Sequence, residues 1–160
     1  APPRWTRLAP CSPSRVPRMI ALALDIGGAR TGIAVSDRTG RVASPVKVLP
    51  AAEVEGVART FRMVLEDYEP DVIVCGLPQT MAGEEGPQAA RVREVAGRIS
   101  RVTGLPVEFI DERLSSTEAK RILREQGLSE KQMRGKVDMI SASLFLQAWL
   151  DAQSRKEDRG

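Results

Sequence analysis

Residues 19–24 form a run with no polar side chain, which predicts a central strand buried on both faces. Gly32–Ser36 and Arg41–Val48 follow as strands, with Asp37–Gly40 as the turn between them. Over Glu53–Tyr68 the apolar positions Val54, Val57, Ala58, Phe61, Val64, Leu65 and Tyr68 recur at helical spacing, and Pro70 closes the segment. Val72–Cys75 reads as a fourth strand ending at Gly76. A helix over Gly86–Val102 carries Val92, Val95, Ala96 and Ile99 on one face, with Gly104 as its carboxyl cap. Val107–Ile110 is the fifth strand. Ser115 with Glu118 makes a capping box for a third helix that stops near Gly127, and Ser129 with Gln132 suits a further short turn. The last helix, Lys136–Ala152, is apolar on most sides through Val137, Ile140, Leu144, Phe145, Ala148 and Trp149, so it is expected to pack deeply.

The resulting order is β-β-β-α-β-α-β-α plus a final helix. Three strands joined by short turns predict an antiparallel half, and strands separated by helices predict parallel crossovers. The fold class expected is therefore α/β, a five-stranded mixed sheet with helices on both faces. At 160 residues the chain suits one compact domain, assigned to residues 19–160. Residues 1–18 hold five prolines, four arginines (Arg4, Arg7, Arg15, Arg18), no acid and no hydrophobic periodicity. They are expected to form a disordered basic extension, read either as a nucleic-acid arm or as sequence upstream of a translation start at Met19.

Charge adds less than its total suggests. The chain carries +3, the first 18 residues account for +4, and residues 19–160 are left at −1. Net charge therefore does not argue for a nucleic-acid partner, which requires a local basic patch. The longest apolar run, residues 19–24, is far short of the roughly 20 residues of a membrane span. With no signal-peptide pattern in the first 18 residues, the expectation is a cytoplasmic protein without a membrane partner. The two cysteines make no disulfide framework or zinc site; Cys75, inside an apolar strand, reads as a small buried hydrophobe. Histidine is absent, which excludes imidazole bases, His-dependent triads and His-ligated zinc. Catalysis, if present, falls to carboxylates.

Three carboxylates stand where packing alone does not put them. Asp25 ends the buried first strand before Gly27-Gly28, Glu112 follows the fifth strand, and Asp138 opens the otherwise apolar last helix. If the sheet assembles as read, all three can converge at one edge. Like charges so close raise one another's pKa, and a divalent cation such as Mg²⁺ or Mn²⁺, which prefers oxygen ligands, relieves the repulsion. Two such ions can activate a water and stabilise the leaving oxygen in phosphodiester cleavage. Each acid also has an ordinary reading: a turn residue, an exposed loop, a helix-start charge favoured by the dipole.

Four stretches resemble the YqgF family of RuvC-like resolvases and cover most of residues 19–152. They are Leu24-Asp25-Ile26-Gly27-Gly28-Ala29-Arg30-Thr31-Gly32 running on to Ser36-Asp37; Gly76-Leu77-Pro78; Asp111-Glu112-Arg113-Leu114-Ser115-Ser116-Thr117-Glu118-Ala119; and Lys136-Val137-Asp138 running on to Leu146-Gln147 and Leu150-Asp151. The resemblance implies an RNase H-like fold and a metal-dependent nuclease, with Asp25, Glu112 and Asp138 as its catalytic, metal-binding acids. Family members are described as Holliday-junction resolvases and as nucleases that mature pre-16S ribosomal RNA, so rRNA precursor and branched DNA are both implied as substrates. In related junction resolvases the last helix usually carries a further acid one turn after its first; here Ser141 and Ala142 stand there, and Ala23 occupies a position where relatives often have glycine.

Arg30, Arg113 and Lys136 lie near these acids in sequence and are candidate phosphate contacts; the local alternative pairs Arg113 with Asp111 or Glu118. With aromatic residues at 4%, base stacking is not expected to dominate binding. Cutting two strands of a junction symmetrically requires a dimer, so a homodimer is compatible with this reading, through an apolar face of the third or last helix. Two rivals remain. The Asp25–Gly32 stretch also resembles the phosphate loop of actin-like and sugar-kinase-like phosphotransferases, but those need two lobes and this chain has one. A non-catalytic RNA- or ribosome-binding module with the same fold would hold RNA without metal.

Overall fold

The computed structural model describes residues 19–79, 82–112 and 115–159; the extension expected over residues 1–18 lies outside them. In chain order the elements are β1 (Ala21–Ile26), β2 (Arg30–Ser36), β3 (Ala43–Pro50), α1 (Ala51–Glu55), α2 (Arg59–Tyr68), β4 (Val72–Leu77), α3 (Pro87–Thr103), β5 (Val107–Asp111), α4 (Ser115–Glu125), α5 (Glu130–Arg134) and α6 (Val137–Arg159). The strands form one sheet in the order β3-β2-β1-β4-β5. β1 pairs antiparallel with β2, and β2 with β3, while β1–β4 and β4–β5 are parallel. This is the mixed sheet the hydrophobic pattern predicts.

Strand alternation sorts the core into two layers. Leu22, Leu24 and Ile26 of β1, with Ile33 and Val35 of β2 and Ile73, Cys75 and Leu77 of β4, pack against Val54, Phe61 and Val64 of α1–α2 and Val92 and Ile99 of α3. Ala21, Ala23, Ala34, Val72 and Val74 face the other way and meet Ala142, Phe145, Leu146, Trp149 and Leu150 of α6. The second face is built from smaller side chains, which lets α6 lie close to the sheet. α4 packs on α6. Helices therefore cover both faces, and Cys75 is fully buried, its thiol pushed up to about 12 by that burial.

Local chemistry fixes several boundaries. The Asp37 carboxylate accepts from Arg41 N (2.9 Å), Val42 N (3.3 Å) and Thr39 Oγ1 (2.7 Å), closing the β2–β3 turn. Gly104 takes φ 76° and its N–H donates to Ser100 O, capping α3 as expected. Ser129 and Gln132 form a reciprocal capping box at α5. The expected single helix over Glu53–Tyr68 is instead two. Val57 adopts φ 48°, and Ala58 N donates to Glu53 O (2.8 Å), a closure that ends α1. Periodicity hides this break because Val54, Val57, Phe61 and Val64 all reach the same core. α6 runs to Arg159 rather than stopping near Ala152, since polar residues continue a helix without an apolar face. Among the described residues, no helix is long and apolar enough to cross a membrane.

Candidate active site

Asp25 inherits its direction from strand parity. Ala21 and Ala23 point toward α6, so Asp25, two residues on, does the same at the carboxyl end of β1, where it is only 8% exposed. Across the ladder Asp25 pairs with Gly32. A Cβ at Gly32 would lie closer than 3.0 Å to the Asp138 carbonyl carbon and oxygen, and 2.5 Å from Met139 N. The first turn of α6 therefore rests on bare β2 backbone, which brings Asp138, half-buried, beside Asp25. Glu112 follows β5 directly, and its N–H reaches Leu77 O at 3.4 Å. A Cβ at Gly76 would lie 2.6 Å from Glu112 Oε2 and 2.6 Å from Phe145 Cε2. Glycine at that strand position is what admits the Glu112 carboxylate between β4 and α6.

The electrostatics follow from this crowding. Asp25 is raised from its ordinary 3.8 to about 8, first by burial, then by the charge and carboxyl contact of Glu112 and by Asp138, with the Ser141 hydroxyl opposing. Burial also raises Glu112; its contact with Asp25 opposes this, and the charges of Asp111 and Asp138 add to it. Burial raises Asp138 too, opposed by Arg30. Two carboxylates meeting out of water hold a proton between them unless a cation takes its place. Glu112 Oε2 and Ser141 Oγ are buried with no hydrogen-bond partner among the described residues.

The donor set is all oxygen, which suits Mg²⁺ or Mn²⁺, and the orphaned Glu112 oxygen fits a ligand waiting for a cation. As arranged here, among the described residues no three acidic, thiol or imidazole side chains close into a cage. Asp25 and Glu112 meet, while Asp138 Oδ2 stands 3.9 Å from Arg30 Nε. A cation shared by all three would draw Asp138 inward.

Of the candidate phosphate contacts, Arg30 is exposed at the start of β2 on the rim of the acid cluster. Lys136 is exposed just before α6, and Arg113 lies outside the described residues. The Gly-containing connection after Pro78 includes Thr80 and Met81, also outside them. Sequence reasoning missed the spacing roles of Gly32 and Gly76, although a glycine inside a strand pattern is a signal of close approach. It also missed Gln88 and Arg91. From α3, on the opposite face, Gln88 Nε2 donates to Ile26 O (3.2 Å) and Arg91 Nη1 to Gly27 O (2.7 Å), while Arg91 also pairs with Glu55. These bonds pin the turn that follows Asp25, and nothing in the helical pattern of α3 marks them out.

The fold and the acid cluster together define an RNase H-like α/β domain. Thermus thermophilus RuvC in complex with Holliday junction substrate superposes with a TM-score of 0.50 at 16% identity, over 86% of this chain and 96% of that one. Fowlpox virus resolvase, solved with Holliday junction DNA, gives 0.50 at 16% identity, over 84% and 99%. At that identity the likeness speaks for the fold alone. The chain belongs to the RuvX (YqgF) family, described as Holliday junction resolvase, whose profile matches residues 19–152. A relative from Anaeromyxobacter sp. (strain Fw109-5), named "Putative pre-16S rRNA nuclease", is 42% identical over 132 residues, 82% of this chain and 96% of that protein. One of the same name from Chloroflexus aurantiacus is 41% identical over 141 residues, 88% and 92%.

Proposed function

We propose that this protein is a metal-dependent nuclease that hydrolyses phosphodiester bonds in structured nucleic acid, with maturation of the 5′ end of pre-16S rRNA as its first assignment and Holliday-junction-type DNA processing as its second. The observation that carries the reading is the buried Asp25–Glu112 contact, with Asp138 beside it on the first turn of α6. A fold that removes two carboxylates from water and leaves an oxygen of one without a partner among the described residues is destabilised unless something positive occupies the site.

Asp25, Glu112 and Asp138 would hold Mg²⁺ or Mn²⁺, two ions in this reading, which supply charge for the phosphate and a water ionised at neutral pH. Asp25, buried where Glu112 and Asp138 are only partly so, would hold a cation together with Glu112, which it meets. Arg30 and Lys136, both exposed, would bind backbone phosphates, together with Arg113. Contacts of that kind position a duplex or hairpin without reading its sequence. The relatives named as pre-16S rRNA nucleases favour RNA over DNA. Symmetric junction cleavage would additionally require a homodimer.

The test is incubation with Mn²⁺ or Mg²⁺ and a labelled panel: an rRNA precursor, single-stranded RNA and DNA, and a four-way DNA junction, with Asp25→Asn alongside. Cleavage is expected to vanish in EDTA and in Asp25→Asn, and the preferred substrate assigns the role. Binding without any metal-dependent cleavage would replace the nuclease with a non-catalytic RNA-binding module.

A further inference from the structure

We propose that Ser141 is a positioning residue of the cation site: its hydroxyl donates to the Asp25 carboxylate and fixes the orientation in which that carboxylate takes a divalent cation. The inference rests on the function proposed above. Ser141 lies on α6 one turn after Asp138 and is 1% exposed. Its neighbours Ala142 and Phe145 are packed against the small-residue face of β1 and β4, the face toward which Asp25 points.

The hydroxyl has no hydrogen-bond partner among the described residues. That is not the default for a serine in a helix, which usually bonds a carbonyl one turn back. Ser143, two residues on, does so, its Oγ donating to Ile140 O at 2.7 Å. Ser141 does not, and the buried acid on the sheet face that its helix covers is Asp25. A buried donor without a bond is normally eliminated or satisfied. Here the acceptor is at hand but is engaged with Glu112. Once Asp25 faces a cation with one oxygen, the other is available to accept from Ser141.

Ligating carboxylates are generally held by such outer hydrogen bonds. A hydroxyl does this without adding charge, whereas a fourth carboxylate would deepen the repulsion among three acids gathered at one edge of the sheet.

The experiment is calorimetric titration of Mn²⁺ alone into the full chain and into Ser141→Ala, with thermal unfolding of both in EDTA and in saturating Mn²⁺. Ser141→Ala is expected to bind Mn²⁺ about tenfold or more weakly, while its Tm in EDTA equals or exceeds that of the wild type, because an unpaired buried hydroxyl has been removed. A hydroxyl that merely supported packing would give the reverse: a lower Tm in EDTA and unchanged Mn²⁺ affinity. Either of those results overturns the inference. If the wild type binds Mn²⁺ and cleaves, and Ser141→Ala binds equally well, only the role of Ser141 falls. If the wild type binds no Mn²⁺, the nuclease reading falls with it.

Discussion

Replacing Gly32 with alanine adds one methyl group at the point where α6 touches the sheet. The new Cβ would project toward α6, closer than 3.0 Å to the Asp138 carbonyl carbon and oxygen. Both obstacles are backbone, so no side-chain rotation relieves them. The first turn of α6 must retreat by roughly 1.5 Å to regain van der Waals contact, and Asp138 moves with it. Overpacking of this kind costs about 1–3 kcal/mol, and at this chain length each kcal/mol lowers Tm by about 2–4 °C. The effect on function should be larger. Displacement of a catalytic group by about 1 Å costs on the order of 10²-fold in rate, because Asp138 would no longer reach a cation held by Asp25 and Glu112. The assay is Mn²⁺-dependent cleavage of the preferred substrate, with Mn²⁺ titration and thermal unfolding on the same preparation. Ala34→Gly is the control: it alters the neighbouring position on the same face of β2 and removes a methyl group instead of adding one. It should lose some stability and little activity. Gly32→Ala protein that is folded, binds Mn²⁺ like the wild type and cleaves at an undiminished rate would refute the claim that this glycine sets the position of Asp138.

Two further predictions concern stability. Asp25 is raised from 3.8 to about 8 in the folded, metal-free protein, so its contribution is fully present below about pH 4 and lost as pH rises toward 8. The Tm of Asp25→Asn minus that of the wild type, in EDTA, should therefore be near zero at pH 4 and grow steadily to pH 8. Subtraction removes other groups such as Asp37, whose lowered pKa acts in the opposite direction. A flat difference would mean that neither burial nor the Glu112 contact raises Asp25 in the folded protein. Glu69, exposed, caps α2 in the left-handed region at φ 46° and ψ 58°. Glu69→Gly should stabilise the protein by about 1 kcal/mol, read as a Tm higher by about 2–4 °C; no rise would show that the strain is offset elsewhere.

Much of the architecture was legible because the chain states it twice, once in hydrophobic period and once in capping chemistry. β1 opens as an unbroken apolar run through Leu24 and is buried throughout, Asp25 included; Gly104 and Ser129 mark helix ends in both sequence and structure. The break at Gly56-Val57 was not legible, since the turn keeps Val54, Val57, Phe61 and Val64 on the same core. Of the site, the positions of Asp25, Glu112 and Asp138 could all be read from pattern, but each also had an ordinary reading, and the family resemblance is what gave the three their weight. The roles of Ser141, Gln88 and Arg91 depend on which element lies opposite them, and no local pattern encodes that.

Yet one signal was present and unread. On the α6 face, successive strand positions run Ala21, Ala23, Asp25 on β1, Ala34 then Gly32 on β2, and Val72, Val74, Gly76 on β4. Side chains on that face stay small, as they must where a helix lies close to a sheet, and at the ends nearest Asp25 the neighbouring strands reduce to glycine. A methyl group at either glycine would strike an acid of the proposed site, the backbone of Asp138 at Gly32 or the carboxylate of Glu112 at Gly76. The glycines thus outline the volume the three carboxylates occupy. Two strand glycines and a strand aspartate at the same level of adjacent strands, on one face, describe a pocket for carboxylates before any fold is assembled, provided the strands are read by face and not only as apolar runs.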